Sequence, residues 1–284
     1  MNQILGFCVR FFHMIEVEGH RGARGHAPEN TLPSFAAAVE AGVDWIELDL
    51  GVSRDRELIV AHDFFLSPAI HTWKDGRKIM PMATPLHSLS REELRGLDCG
   101  AKLDPKFPQQ VASPGAAMPS LADLVRFMDL LPAAKKIRLN LELKSLPAGD
   151  GLLHPKPRDF AKLVWRNLND LGLLSRIVVQ SFDHRLVAEL RRLGPRLPLS
   201  LLFGENATDY ALLAGRAKVK EVSVNQYWLG ANEARELRRK KIRIRAWTAN
   251  EERDWERLVD LKVSTIITDY PAELAAFLRK KRLR

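Results

Sequence analysis

The chain has 284 residues, of which 46% are hydrophobic and 28% charged, and its formal net charge is +9. This balance is typical of a soluble globular protein and excludes a disordered or low-complexity chain, while the length suits one domain of α/β-barrel size. The two cysteines show no CxxC spacing, which excludes a disulfide framework or a cysteine zinc site and favours a reducing, cytoplasmic compartment.

Residues 1–13 are predicted to form a short N-terminal extension. Their apolar run at positions 4–9 is followed by Arg10, lacks a basic leading segment and is too short to cross a bilayer. We therefore do not expect a secretory signal. A short membrane-contacting anchor and a start codon misassigned upstream of Met14 explain this segment equally well.

The rest of the chain, residues 14–284, alternates between strands and helices. Early strands are predicted over residues 15–19, 45–50 and 58–61, with a helix over 32–41. From residue 137 onward, short β-branched runs alternate with helical stretches, a pattern that predicts βα units in a parallel sheet. These strands are placed at 137–142, 176–181, 199–203, 221–225, 242–248 and 265–268, and the helices at 158–171, 183–193 and 208–217, with one more after each later strand.

The predicted fold is a (β/α)8 TIM barrel, although the strand count is one too many for it. The link between residues 50 and 58 is too short for a helical crossover. One of the two segments that flank this link is therefore not an ordinary barrel strand, and the sequence leaves open which one.

Residues 63–118 interrupt the alternation and are predicted to be an insertion after the third strand segment. Six prolines lie within them, and only one helix is predicted, over residues 90–97, opened by a Ser-Arg-Glu-Glu capping pattern. A segment of this length with so little regular structure is normally functional or disordered.

Two histidines and two carboxylates lie near the ends of consecutive predicted strands. Glu47 and Asp49 are spaced i, i+2 and therefore point to the same face of a strand, where they can share one hard cation. No cationic side chain lies beside them in the sequence, so a metal ion is their expected partner, with an ion pair to arginine as the alternative. His20 and His62 can serve as acid and base, and Arg21 suits a phosphate oxygen. Together these groups predict phosphodiester chemistry.

The motifs that contain these residues resemble, in order, those of glycerophosphodiester phosphodiesterases over roughly residues 15–278. The matching motifs are His20-Arg21-Gly22, Pro28-Glu29-Asn30-Thr31, Glu47-Leu48-Asp49, His62-Asp63, Glu142-Leu143-Lys144, Gln180-Ser181-Phe182, Trp247-Thr248-Ala249-Asn250 and Ile267-Thr268-Asp269-Tyr270-Pro271. The resemblance implies that the insertion is a lid over the barrel mouth and not a second domain.

The resemblance also implies a metal site in which Glu142 joins Glu47 and Asp49. Oxygen-only ligation suits Mg²⁺ or Ca²⁺, with Mn²⁺ also accommodated, and disfavours zinc. Lys144 shares a strand face with Glu142 by the period-2 rule. The resemblance implies that Lys144 and Arg21 contact the phosphate.

Three further residues are implied to contact the substrate, which is a small-molecule glycerophosphodiester. Trp247 is implied to line the glycerol pocket, with a packed barrel tryptophan as the alternative. Gln180 and Asn30 are implied to form hydrogen bonds. No nucleic-acid partner is expected.

The implied reaction is metal-dependent hydrolysis of a glycerophosphodiester to sn-glycerol 3-phosphate and an alcohol. The glycerol 2-hydroxyl attacks phosphorus, and water then opens the resulting cyclic phosphate. His20 is assigned as the base and His62 as the acid, with the reverse order left open. A lysophospholipid phosphodiesterase of the phospholipase-D type on the same scaffold is the first alternative. A non-catalytic binding module is disfavoured because both histidines and all three carboxylates are present.

Much of the positive charge falls in two clusters, residues 238–241 and 279–282. Solvated helical faces are the preferred explanation for these clusters, over weak contact with an anionic membrane surface. Neither the alcohol headgroup nor the oligomeric state follows from the sequence.

Overall fold

The structure is a computed structural model that describes residues 14–207 and 209–284. The predicted extension of residues 1–13 lies outside the described residues. Within the described ranges, no helix is both long enough and apolar enough to cross a membrane. The cytoplasmic location expected from cysteine usage stays a prediction.

Parallel strands close into a barrel, which confirms the predicted (β/α)8 TIM fold. Among the described residues the strands are β1 Glu16–Gly19, β2 Trp45–Val52, β3 Leu58–Val60, β4 Thr72–Trp73, β5 Leu97–Asp98, β6 Arg138–Leu143, β7 Ile177–Ser181, β8 Leu199–Phe203, β9 Glu221–Asn225, β10 Arg243–Trp247 and β11 Thr265–Thr268. The barrel consists of β1, β2 and β6 to β11, and pairing of β11 with β1 closes it. Its strands read as near-continuous apolar runs because helices cover their outer face and side chains fill the interior.

The helices complete the βα units. They are α1 Leu32–Glu40, α2 Arg91–Arg95, α3 Leu121–Asp129, α4 Pro157–Asp170, α5 His184–Leu193, α6 Tyr210–Ala217, α7 Ala231–Arg239, α8 Glu252–Asp260 and α9 Pro271–Lys280. Side-chain caps begin several of them. In α1, for example, Thr31 accepts a hydrogen bond from the backbone of Ser34, and Pro33 occupies the first turn, where no intrahelical partner is needed for its missing N–H.

The segment β3 is the one that does not belong to the barrel. It runs antiparallel to β2, with Leu50 opposite Val60 and Val52 opposite Leu58. Since the chain folds back here as a hairpin, β6 takes the next place in the barrel after β2. The parallel register between β2 and β6 sets Asp49 opposite Glu142.

The barrel interior contains a buried layer of charged and polar side chains, which we call the polar layer: Glu18, Asn140, Glu221 and Arg245. Glu18 and Arg245 are fully buried and form an ion pair. Asn140 Nδ2 donates to Glu18 at 2.7 Å, and Arg245 Nε lies 2.6 Å from Glu221. The Arg245 guanidinium also lies over the ring of Trp45, 4.0 Å from its centroid. This layer was not predicted from the sequence.

The insertion of residues 63–118 has regular structure at only a few places. Helix α2 is shorter than the predicted 90–97, because it ends before Gly96 and the following residues pair as β5 with β4. The Ser90 capping box is present as predicted. The insertion packs around a small apolar core of its own, formed by Ile59, Ala61, Leu66, Trp73, Leu86, Leu94, Leu97, Cys99 and Met118.

The later part of the insertion reaches the loop that follows β1. The guanidinium of Arg24 lies over the ring of Phe107, 4.6 Å from the ring centroid. Gln110 Nε2 donates to the Arg24 carbonyl at 2.7 Å. The backbone N–H of Val111 donates to the carbonyl of His26 at 2.8 Å. The insertion therefore begins just after β3 and packs on the loop that follows β1, at the same end of the barrel.

Candidate active site

A cavity of about 350 Å³ opens at the carboxyl ends of the barrel strands. In a TIM barrel this end carries the loops that bind substrates. The cavity is lined by His20, Arg21, Arg24, Glu47, His62, Glu142, Lys144, Gln180, Phe182, Leu202, Trp247, Thr248 and Ile267. The charged residues come from the β1, β2, β3 and β6 side, and the apolar residues from β7, β8, β10 and β11.

Three buried carboxylates lie together at this end of the barrel. Glu47, Asp49 and Glu142 each offer an oxygen, and these oxygens all lie within 4.8 Å of one another. Burial, together with the negative charges of Asp49 and Glu142, raises the pKa of Glu47 well above its ordinary value. Glu47 Oε1 is buried and has no hydrogen-bond partner in the part of the chain that the structure describes. A hard divalent cation would satisfy both the unpaired oxygen and the repulsion, so the donor set fits such an ion.

Cationic side chains from distant segments lie beside Asp49, so the ion pair that the sequence left open as an alternative is present at this carboxylate. Arg21 Nε and Lys144 Nζ each lie 3.2 Å from an Asp49 oxygen. Burial would raise the pKa of Asp49, but the charges of Lys144 and Arg21 outweigh it and hold that pKa well below its usual range. Lys144 is also hydrogen-bonded to Glu142. Ion pairing therefore satisfies Asp49, whereas Glu47 keeps an unpaired oxygen.

Asn30 lies behind Asp49 and not on the cavity wall. Its side chain is buried, its Nδ2 donates to Asp49 Oδ2 at 2.8 Å, and its backbone has a left-handed φ of 56°. Asparagine tolerates this conformation better than most residues. The geometry supports a role for Asn30 in positioning Asp49, and the direct substrate contact expected from the sequence stays a prediction.

His20 is oriented by a carboxylate from the last barrel strand. His20 Nδ1 lies 2.7 Å from Asp269 Oδ1, and Asp269 also accepts hydrogen bonds from Arg24 Nε at 2.8 Å and Asn250 Nδ2 at 2.7 Å. Burial would raise the pKa of Asp269, but its interactions with His20 and Arg24, including the hydrogen bonds that both donate, hold that pKa below its usual range. An ionised Asp269 can only accept, so Nδ1 of His20 carries the proton and Nε2 is free to accept one.

The other nitrogen of His20 faces the carboxylate cluster. His20 Nε2 lies 3.9 Å from Glu47 Oε2. Burial lowers the pKa of His20, which Asp269 only partly opposes. The lowered pKa and the proton on Nδ1 are together consistent with a neutral imidazole, whose unprotonated Nε2 could take a proton from a bound hydroxyl.

His62 has the same kind of support from its own neighbour. His62 Nδ1 lies 2.7 Å from Asp63 Oδ1, and both side chains are partly exposed at the cavity mouth. The hydrogen bond from His62 holds the pKa of Asp63 below its usual range. The two histidines predicted to work as acid and base therefore line one cavity, each with a carboxylate on its Nδ1.

The apolar side of the cavity is built around Trp247. Its ring packs edge-on against Phe182, with centroids 5.7 Å apart. Its Nε1 is buried without a hydrogen-bond partner among the described residues, so it offers a free donor. Gln180 Oε1 accepts a hydrogen bond from Ser223 Oγ at 2.6 Å, which fixes the amide at the cavity wall.

Sequence reasoning missed Asp269 as a site residue, although its motif had been noted. The available signal was an acid placed directly after the apolar run of the last strand, just as His20 directly follows the first strand. Arg24 was missed as well, because a single arginine in a loop carries no pattern of its own.

Comparison with known proteins places the chain in a family. The model of the glycerophosphoryl diester phosphodiesterase family matches residues 20–273. A glycerophosphodiester phosphodiesterase of Bacillus subtilis is 29% identical over 266 residues, which cover 89% of this chain and 82% of that protein. A crystal structure from Silicibacter pomeroyi is similar with a TM-score of 0.86 at 28% identity, covering 95% of this chain and 94% of that one. A phosphodiesterase of Oleispira antarctica, solved with its product sn-glycerol-3-phosphate, has the same fold, with a TM-score of 0.75 at 20% identity over 94% of this chain and 97% of that one. Because the family model spans most of the sequence, the chain belongs to the glycerophosphoryl diester phosphodiesterase family.

Proposed function

We propose that this protein hydrolyses glycerophosphodiesters to sn-glycerol 3-phosphate and an alcohol, and that the reaction requires a divalent cation. The observation that carries the proposal is one cavity that combines a carboxylate cluster holding an unpaired buried oxygen with two carboxylate-supported histidines. The product bound to the Oleispira antarctica phosphodiesterase is the product expected here.

Glu47, Asp49 and Glu142 would hold the cation. Their all-oxygen donor set suits Mg²⁺ or Ca²⁺, and Mn²⁺ is also compatible. When bound, the cation supplies Lewis-acid stabilisation of charge on the phosphoryl and hydroxyl oxygens.

In the proposed first step, His20 Nε2 removes the proton from the glycerol 2-hydroxyl, whose oxygen attacks phosphorus. The bond from phosphorus to the alcohol oxygen breaks, and His62 donates a proton to that oxygen. The products of this step are a cyclic phosphate and the free alcohol. In the second step the roles reverse: His62 takes a proton from water, and His20 returns one to the glycerol oxygen as the ring opens. The support is the unprotonated Nε2 that Asp269 imposes on His20, and the reverse order of acid and base is still open.

Arg21 and Lys144 are proposed to contact the phosphate. Both line the cavity, and the pKa of each is raised despite burial because Asp49 lies beside it, so both stay charged. Fixed positive charges in a partly dehydrated cavity stabilise the negative charge that builds up on the phosphoryl oxygens. Trp247 and Gln180 are proposed to line the glycerol side, where the free Trp247 Nε1 can donate to a hydroxyl.

The insertion is proposed to act as a lid over the barrel mouth. It begins directly after His62 and packs on the loop that contains Arg24. Replacing it with a short linker should therefore change the preference for alcohol headgroups and KM more than the affinity for the metal.

Lysophospholipid hydrolysis is the second candidate function. The partly exposed ring of Phe182 beside Trp247 provides apolar surface at the cavity mouth, and a weak membrane-surface contact of the basic clusters stays a prediction. Comparing turnover of glycerophosphocholine with that of lysophosphatidylcholine distinguishes the two.

The decisive test of the reaction is a substrate without a 2-hydroxyl. We expect a 2-deoxy glycerophosphodiester to be cleaved very poorly even where it binds as a competitive inhibitor, because its nucleophile is missing. The natural substrate should pass through a cyclic phosphate that ³¹P NMR detects at early times. Efficient cleavage of the 2-deoxy compound, with solvent oxygen entering in one step, would refute internal attack. Full activity after exhaustive chelation would refute the requirement for a cation.

A further inference from the structure

A second cavity, a groove of about 460 Å³, lies beside the active site and is almost entirely apolar. One wall comes from the start of the insertion and the other from the loop after β6. We call it the side groove, and its principal lining residues are Phe64, Phe65, Pro81, Met82, Leu146 and Leu153.

The side groove lies next to the catalytic residues. Asp63, whose carboxylate accepts the hydrogen bond from His62, also lines the groove. On the opposite wall, Leu146 follows Lys144 by two residues. Both walls therefore begin within two residues of cavity residues, one directly after His62 and the other just after Lys144.

The composition of the groove favours an apolar occupant. Asp63 is its one charged lining residue in the part of the chain that the structure describes. Met82 is 70% exposed at the groove edge although an apolar side chain gains nothing from contact with water. Exposed apolar surface that borders a polar reaction site is typical of a ligand-binding surface.

We propose that the side groove binds an alkyl chain on the leaving alcohol, so that the substrates include glycerophosphodiesters of long-chain alcohols. This inference rests on the proposed function, with His62 as the acid. The group that protonates the leaving oxygen must lie beside it, and the groove begins beside His62. The glycerol part is assigned to the other side of the cavity, next to Trp247, which leaves the groove to the alcohol.

The test is a series of sn-glycerol 3-phosphate n-alkyl esters from ethyl to octyl, assayed below their critical micelle concentrations. We expect kcat/KM to rise with chain length by up to about fourfold per methylene until the groove is filled, since each buried methylene contributes favourably to transfer from water.

Matched variants localise the effect. Met82→Asp places a charge on the groove wall and should flatten the chain-length series while leaving kinetics on the ethyl ester unchanged. Leu153→Ser should reduce the slope without adding charge. Leu152→Asp is the control, because Leu152 is 73% exposed and does not line the groove, and it should keep the wild-type slope.

The outcomes separate this inference from the proposed function. A flat series in a protein that cleaves the ethyl ester would overturn the inference alone. No cleavage of any ester in the presence of Mg²⁺, Mn²⁺ or Ca²⁺ would overturn the proposed function. A slope that appears with lysophosphatidylcholines of increasing acyl length, is lost in Met82→Asp, and is absent for the alkyl esters would place the chain on the glycerol side and refute the assignment to the leaving alcohol.

Discussion

Asp269→Asn should lower kcat about 10²- to 10⁴-fold without unfolding the protein, because it removes the acceptor that orients His20. Asparagine has one acceptor oxygen where aspartate has two. If that oxygen faces His20, the amide NH₂ of the variant is directed at the NH₂ of Asn250. In the parent protein this Asn250 NH₂ donates to Asp269 at 2.7 Å. If the amide is flipped, its NH₂ faces His20 Nδ1, and the imidazole must move its proton to Nε2, the atom proposed to act as base.

The magnitude is that of losing a correctly oriented base. His20 and Arg24 both donate to Asp269, at 2.7 Å and 2.8 Å. The expected loss in kcat represents roughly 3–5 kcal/mol of barrier, which is the usual value of a positioned proton transfer, about 10²- to 10⁴-fold. The hydrogen bonds themselves, at about 1.5–3 kcal/mol each, contribute to stability. The loss of negative charge also lowers the pKa of His20 further. Since a base must be unprotonated, the acid limb of kcat/KM should move to lower pH.

The assay is release of sn-glycerol 3-phosphate from glycerophosphocholine, with kcat and KM determined across the pH range. Asp183→Asn is the matched control: Asp183 is also buried, lies at the same end of the barrel, and is paired with an arginine, Arg185, at 2.7 Å, but it does not line the cavity. It should lose a similar amount of stability to urea and keep its kcat. Near-normal kcat in Asp269→Asn, or an equal loss in both variants, would refute the orienting role.

Three further predictions concern the acid, the metal site and the polar layer. His62→Ala should lower kcat by about 10²- to 10⁴-fold and leave the urea midpoint unchanged, because the side chain is partly exposed; near-normal kcat would show that His62 is structural. Glu47→Gln should weaken Mn²⁺ binding at least about tenfold by calorimetry. In the presence of a chelator, however, the Glu47→Gln variant should be more stable than the parent protein at pH values above the ordinary glutamate pKa. Burial and charge raise the pKa of Glu47, so ionising it costs the folded state stability as the pH rises; equal stability at pH 8 would contradict this. Arg245→Met should cost about 3–5 kcal/mol in urea unfolding by leaving Glu18 buried without its cation, and Glu18→Gln added to it should restore most of that loss.

The sequence was sufficient to predict the barrel, because its strands carry a local signal. Strands β9 and β11 begin and end at the predicted residues, since each is a short β-branched run bounded by polar residues. The place of β3 was not predictable in the same way. Which of β2 and β3 enters the barrel depends on pairing with β6, which lies far along the chain. Helix α3 was overlooked although Ser120 and Asp123 form a capping box at its start.

For the site, the sequence could name residues but not their pairing. Glu47 and Glu142 were recognisable because acids are costly in apolar strands. Nothing local to Asp49 indicates that Arg21 and Lys144 converge on it, because each comes from a different strand end. The partner of His20 is separated from it by 249 positions, a contact that only closure of the barrel creates.

The polar layer explains how such contacts are held in register. Each of three members precedes a cavity residue by two positions along the chain: Glu18 precedes His20, Asn140 precedes Glu142, and Arg245 precedes Trp247. Side chains two apart on a strand share a face, so the layer lies directly beneath the cavity. A buried ion pair adds little net stability compared with well-packed apolar residues, but a strand shift that separated Glu18 from Arg245 would leave a buried charge unpaired, which is strongly destabilising. The contacts among β1, β6 and β10 therefore fix the heights of these strands relative to one another. Their ends carry the proposed base His20, Glu142 of the proposed metal cluster and Trp247, so the same contacts set the spacing of these cavity residues.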